Sequence, residues 1–263
     1  MITFIKLGGS LITNKLVENS FRADVAARIS EEIHGALEVN PDLRLLIGHG
    51  SGSFGHVPAR RHGTIHGVST PDQWRGFAEV ASIAGELNYL MSKSLYETGV
   101  PVWRIQPSAS ARSRDGIIIE MAVAPIAAAL DHALVPLVYG DVCLDEVRGG
   151  TIISTETIFF YLAHHLSVSR ILLLGDVDGV YDENKRVFPS ISPSTLPDVE
   201  AALGGSAGTD VTGGMETKVR DMVALVASLP HLSIRIMNGQ TPDLLRQTLL
   251  DQAAPGTLIH ADR

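Results

Sequence analysis

Ile2-Thr3-Phe4-Ile5-Lys6-Leu7-Gly8-Gly9-Ser10 opens the chain as a short apolar, β-branched run that carries one lysine and passes directly into a glycine pair. Comparable apolar runs recur at Leu43 to Ile47, Val100 to Ile105, Val135 to Tyr139, Arg170 to Leu174 and Leu232 to Met237. Strands this short and this uniformly apolar are buried on both faces, the mark of a parallel sheet. Helical segments separate them, at Asp24 to Glu38, Gln73 to Glu97, Ala122 to His132, Glu156 to Leu166, Gly214 to Ser228 and Pro242 to Gln252. The last is read with Thr241 as N-cap and Pro242 at its first position. Repeated strand and helix predict an α/β fold: one αβα sandwich with a largely parallel central sheet, spanning residues 1–263 as a single domain. Between Val142 and Ile153, Gly149 and Gly150 predict a small hairpin, and Phe188 to Thr212, rich in proline and glycine, predicts a long surface excursion.

The 263 residues are 45% hydrophobic, enough for a substantial core. Acidic residues outnumber basic ones, 29 to 21, so no diffuse basic surface exists to hold nucleic acid or an anionic membrane. Anionic ligands must then meet locally placed cations. Cys143 is the single cysteine, which excludes an internal disulfide and a cysteine metal cluster and favours a reducing, cytoplasmic setting. No leader with a cleavage site is expected at the start, and no apolar run approaches the roughly 18 residues of a membrane span.

In open parallel sheets ligands sit beyond the carboxyl ends of the strands. There this sequence places glycine and charge. Gly8-Gly9-Ser10 and Lys15 follow the first strand, and Gly48-His49-Gly50-Ser51-Gly52-Ser53-Phe54-Gly55-His56 follows the second. Gly175-Asp176-Val177-Asp178-Gly179 follows the fifth, and Asp210-Val211-Thr212-Gly213-Gly214 with Lys218 precedes a helix. Glycine lets backbone N–H groups approach phosphate oxygens, and a helix start adds a favourable dipole. A lone glycine pair is more often a tight turn, but four such loops at element ends point to phosphorylated ligands. Gly50-Ser51-Gly52-Ser53-Phe54-Gly55 also fits the spacing of a dinucleotide fingerprint. That reading requires Gly55 inside a helix, whereas Pro58, Arg60, Arg61 and Gly63 follow closely and Asp72 reads as loop. No P-loop motif is present.

Lys-Leu-Gly-Gly-Ser, Gly-Ser-Phe-Gly-His, Asp-Val-Asp-Gly-Val-Tyr, Asp-Val-Thr-Gly-Gly-Met with Lys218, and the closing Met237-Asn238-Gly239 and Gly256-Thr257-Leu258-Ile259 resemble, in order, the motifs of isopentenyl phosphate kinases of the amino acid kinase superfamily. The resemblance implies ATP-dependent phosphorylation of an isoprenoid monophosphate, with Mg2+ as cofactor, and a homodimer. It implies catalytic roles for Lys6, Lys15, His56 and Lys218, and ATP binding by Lys6, Gly8, Gly9, Ser10, Gly52, Asp176, Gly213, Gly214 and Lys218. The acceptor phosphate falls to Ser51, Gly52, His56 and Thr155. No protein ligand to the metal is assigned.

Ile83 and Leu87, on the apolar stripe of the helix read from Gln73, are assigned to a pocket for the five-carbon tail. Asp178, before Gly179, reads evenly as ligand or turn cap. Three positions depart from the family pattern. Ser51 replaces a glycine, so a positive φ there would be strained; Ser154-Thr155-Glu156 replaces a Ser-Gly-Asp-like run, which leaves the roles of Thr155 and Glu156 open; Gly175 replaces a threonine. A kinase of UMP or of a fosfomycin-like phosphonate, a non-catalytic nucleotide-binding regulatory subunit, and a nicotinamide enzyme are the competing readings.

Overall fold

The computed structural model describes residues 1–14, 16–204 and 215–262. The chain begins with β1 (Ile2–Leu7), the single turn α1 (Gly9–Ile12), α2 (Ala23–Val39) and β2 (Arg44–His49). Helices α3 (Gly52–His62) and α4 (Pro71–Glu97) lead to a short strand β3 (Val102–Arg104). Then come β4 (Ala111–Arg114), β5 (Ile117–Met121), α5 (Val123–Asp131), β6 (Val135–Tyr139), β7 (Asp141–Asp145) and β8 (Gly149–Ile153). The remainder is α6 (Thr155–Ala163), β9 (Val168–Gly175), β10 (Ser190–Ile191), α7 (Leu196–Gly204), α8 (Met215–Ser228), β11 (Ser233–Asn238), α9 (Leu244–Leu249) and β12 (Thr257–His260).

An eight-stranded sheet runs β10-β12-β11-β9-β1-β2-β6-β3. Its neighbours pair in parallel except at β11 and β12. Successive side chains of a strand face opposite ways, and the core divides accordingly. Phe4, Leu46, Val138 and Ile171 pack with residues of α5, α6 and α8, while Ile5, Leu7, Ile47 and Leu172 pack with residues of α2, α4 and α9. The result is the predicted αβα sandwich.

A second sheet, β5-β4-β7-β8, contains the predicted hairpin as β7 and β8. Asp145 organises it. Its carboxylate accepts from the backbone N–H of Asp115, Gly116, Val147 and Arg148 and from the Ser113 hydroxyl. Burial opposes its charge, yet these donors hold its carboxyl well below the usual range.

Four local expectations are corrected. The segment from Gly52 to His62 is helix, with Pro58 inside it, so His56 stands on a helix rather than a loop. The helix read from Gln73 starts at Pro71 behind a Thr70 and Gln73 capping box, which places Asp72 in its first turn. The helix read from Pro242 starts at Leu244, because the buried Glu32 carboxylate accepts from Leu245 N at 3.0 Å and so supplies the cap. The proline-rich excursion holds β10 and α7, and its stretch from 205 to 212 lies outside the described residues.

Candidate active site

Lys6 lies in the central strand, opposite Gly48 on β2 and Leu173 on β9. Gly48 is needed there, because a Cβ would stand 2.6 Å from both the Phe159 ring and Thr155 Cγ2. Without one, the first turn of α6 presses onto the sheet. That turn brings the Glu156 carboxylate into an ion pair with Lys6. Ser154 caps the helix by accepting from Thr157 N at 3.0 Å. Burial tends to raise the Glu156 pKa, but Lys6, through charge and hydrogen bond, and Lys218 on α8 outweigh it, so the carboxyl is lowered. Glu156 is thus the counter-ion of Lys6, with a smaller contribution from the charge of Lys218.

The two glycine turns meet beyond the carboxyl ends of β1 and β2. A Cβ on Gly9 would stand 2.6 Å from Gly52 Cα and N, so only glycine lets these backbones cross. Thr13 locks the crossing: its Oγ1 donates to Gly9 O at 2.7 Å and accepts from Ser53 N at 3.0 Å. The backbone is also tied at 2.8 Å from Gly8 N to Leu174 O and 3.0 Å from Gly50 N to Leu7 O. By contrast, the N–H groups of Ser10, Ser51 and Gly52 donate to no protein acceptor among the described residues.

The positive φ considered for Ser51 falls one residue later, on a glycine that adopts it without strain. Ser51 is right-handed helical, with φ −73, and Gly52 carries the positive φ of 48. The Ser51 side chain instead lies against Gly55, where a Cβ would stand 2.3 Å from its own. Gly55 is inside α3, so that part of the objection to a dinucleotide fingerprint does not hold; what counts against it is that Asp72 lies in the first turn of α4, with no strand among the described residues between α3 and α4. His56 is exposed four residues after Gly52, on the same side of α3.

The remaining predicted residues divide. Asp176 is exposed just beyond β9, whereas Asp178 is engaged in the turn, accepting from Asn238 Nδ2 at 2.8 Å and pairing with the Tyr181 hydroxyl at 3.1 Å. The Thr155 hydroxyl is buried and donates to His49 O at 2.6 Å, so it is turned away from the acceptor role assigned to it. Leu87 is fully buried within the core on the α2 and α4 side, and Ile83 packs partly buried against that cluster, so neither presents a ready-made tail pocket. Lys15, Gly213 and Gly214 lie outside the described residues. Sequence reasoning missed Thr13 and Gly48. The first had no marker, and the second reads as part of the glycine turn until α6 is packed beneath it.

An anchored lysine beneath two crossed glycine turns, on a parallel αβα sheet, defines a site for phosphorylated ligands of the phosphotransferase type. The chain belongs to the amino acid kinase family, whose family model matches residues 1–238. Within it, the chain is 34% identical over 229 residues to the isopentenyl phosphate kinase of Methanocaldococcus jannaschii, covering 85% of this chain and 86% of that one. It is 34% identical over 266 residues to the isopentenyl phosphate kinase of Methanothermobacter thermautotrophicus, covering 97% of each. A crystal structure of isopentenyl phosphate kinase superposes with a TM-score of 0.82 at 29% identity, covering 98% of this chain and all of that one.

Proposed function

We propose that this chain, acting as one amino acid kinase-like domain, transfers the terminal phosphoryl group of ATP to isopentenyl phosphate, giving isopentenyl diphosphate and ADP. An oxygen of the acceptor phosphate bonds to the γ-phosphorus, and the bond from that phosphorus to the bridging oxygen of ADP breaks. The observation that carries the reading is the Lys6 and Glu156 pair, with Lys6 on β1, the strand whose carboxyl end runs into the crossing of the Gly9 and Gly52 turns. Two anionic ligands can there approach one held cation from two sides.

Lys6 and Lys218 flank the moving phosphoryl group, and Lys15 adds a third cation. Ser10 N–H and Asp176 serve the ATP side together with Gly8, Gly9, Gly213 and Gly214, while Ser51 N–H, Gly52 N–H and His56 hold the acceptor phosphate. Mg2+ would neutralise the ATP phosphates; it fits an oxygen-rich ligand better than a protein cage, since no group of three or more His, Cys, Asp or Glu among the described residues could hold a metal. A cytoplasmic setting accords with the buried free thiol of Cys143. A homodimer through β3 is supported by that open sheet edge, by exposed Tyr89, Tyr96 and Trp103, and by a groove of about 630 Å³ beside them.

An ADP-release assay with ATP, Mg2+ and separate isopentenyl phosphate, dimethylallyl phosphate, UMP, acetylglutamate and fosfomycin tests the reading. Isopentenyl phosphate is expected to give the highest kcat/KM. Preference for UMP or acetylglutamate would remove the acceptor assignment and leave the kinase.

A further inference from the structure

His49 ends β2 directly before the crossed glycine turn, and its side chain is completely buried. Every polar atom of its side chain and its carbonyl is engaged. The carbonyl accepts from the Thr155 hydroxyl at 2.6 Å and from Gly140 N at 3.1 Å. Nδ1 lies 3.1 Å from Gly50 O, and Nε2 lies 3.1 Å from Asn88 Nδ2 on α4. The ring stacks on Tyr139, with centroids 5.7 Å apart.

These contacts fix the proton. A carbonyl oxygen only accepts, so Nδ1 must donate to Gly50 O. Burial lowers the His49 pKa to about 4, so the neutral ring carries one proton, and Nε2 must accept from the Asn88 amide. In a planar trans peptide, C=O and N–H point in opposite directions. Holding Gly50 O toward the interior therefore turns Ser51 N–H outward, and Ser51 N–H has no protein acceptor among the described residues. Glycine alone would leave this peptide free to flip. Gly50 N is already tied to Leu7 O, so the Gly50–Ser51 peptide plane is set by the bond that His49 makes to its oxygen.

We propose that His49 is a positioning residue that holds the Gly50–Ser51 peptide with its N–H directed at the acceptor phosphate, itself oriented by Asn88. The assignment of that turn to the acceptor rests on the function proposed above; the orientation of the peptide does not.

The test compares wild type with His49→Phe, which keeps a ring against Tyr139 but donates nothing, and with His49→Asn, whose amide can again reach Gly50 O. Loss of the aligned donor is expected to raise the KM for isopentenyl phosphate by about tenfold or more in His49→Phe, with the KM for ATP changed by less than about twofold and partial recovery in His49→Asn. An unchanged acceptor KM in a folded His49→Phe protein, or equal rises in both KM values, would overturn the proposal. Should His49→Phe not fold, the 15N spectrum of wild-type His49 decides: protonated Nδ1 with bare Nε2 is required, and the opposite tautomer refutes it. If wild type does not use isopentenyl phosphate, the acceptor reading falls by itself. The His49 proposal is then judged by that tautomer and by titration with inorganic phosphate, which should shift the Ser51 amide in wild type more than in His49→Asn or His49→Phe; equal shifts would count against it.

Discussion

Replacing Glu156 by glutamine keeps the shape of the side chain and removes its charge from Lys6 and Lys218. Breaking a fully buried ion pair by deleting one partner costs about 3 to 5 kcal/mol. Here the Lys6 and Glu156 side chains remain 15% and 22% exposed, and the glutamine oxygen can still accept from Lys6, so a stability loss of about 1 to 2 kcal/mol is expected. Asp221 reduces it slightly, since burial raises its pKa and the Glu156 charge raises it further, a repulsion the substitution relieves. The pH dependence has a fixed sign. The Glu156 carboxyl is lowered from its ordinary 4.5, so its stabilisation is present above that value and is lost as pH falls through the lower value of the folded state. Urea unfolding of wild type and Glu156→Gln should give a constant gap from neutral pH down to about 4.5, closing below it. With Lys6 freed from its anchor, kcat should fall roughly ten- to hundredfold, or about 1.4 to 2.7 kcal/mol. A gap that widens on acidification, or an unchanged kcat, would refute the counter-ion role.

Alanine at Lys6, Lys15 or Lys218 should each depress turnover by orders of magnitude, read by ADP release; in thermal denaturation Lys15→Ala and Lys218→Ala should change the melting temperature little, while Lys6→Ala, which leaves Glu156 without its partner, should lower it. Gly9→Ala puts a methyl 2.6 Å from the Gly52 backbone and should cost about 1 to 3 kcal/mol in stability along with most of the activity, measured by urea unfolding and kinetics. His56→Ala should cut activity about ten- to hundredfold with glutamine restoring part of it, in steady-state assays. Ser51→Gly, at a right-handed backbone and losing a contact with Gly55, should be active but less stable by about 0.5 to 1 kcal/mol.

The sheet was legible because its central strands are buried on both faces, and uninterrupted runs such as Leu45 to Ile47 or Val135 to Tyr139 have few other uses. The second sheet was only half legible. Arg112, Arg114, Ile117 and Ile119 are exposed on β4 and β5, so only the three isoleucines Ile117 to Ile119 mark that pair of strands, beside mixed residues on β4. Helix α3 went unread because Gly52, Gly55 and Pro58 are poor helix formers whose conformation is imposed by the crossing with Gly9. Thr70 and Gln73 were a readable cap that was passed over. At the site, Lys6 could be found from its place in a buried strand, but Glu156, His49 and Thr13 acquire meaning only when elements distant in sequence are brought together. Leu87, on the apolar stripe of α4, is packed in the core, a burial that the stripe alone does not distinguish from a place beside a ligand.

The position of β1 has a consequence for how the chain is made. Synthesised ahead of both its neighbours, it gains β2 early, but its other edge is completed only by β9, and Glu156 lies 150 positions after Lys6. A nascent chain therefore carries the half-paired strand, with an unshielded hydrogen-bonding edge and an uncompensated lysine, until most of the protein has been translated. The lysine that pairs with Glu156 in the finished fold would, during that interval, be a charge that discourages the open edge from pairing with another chain.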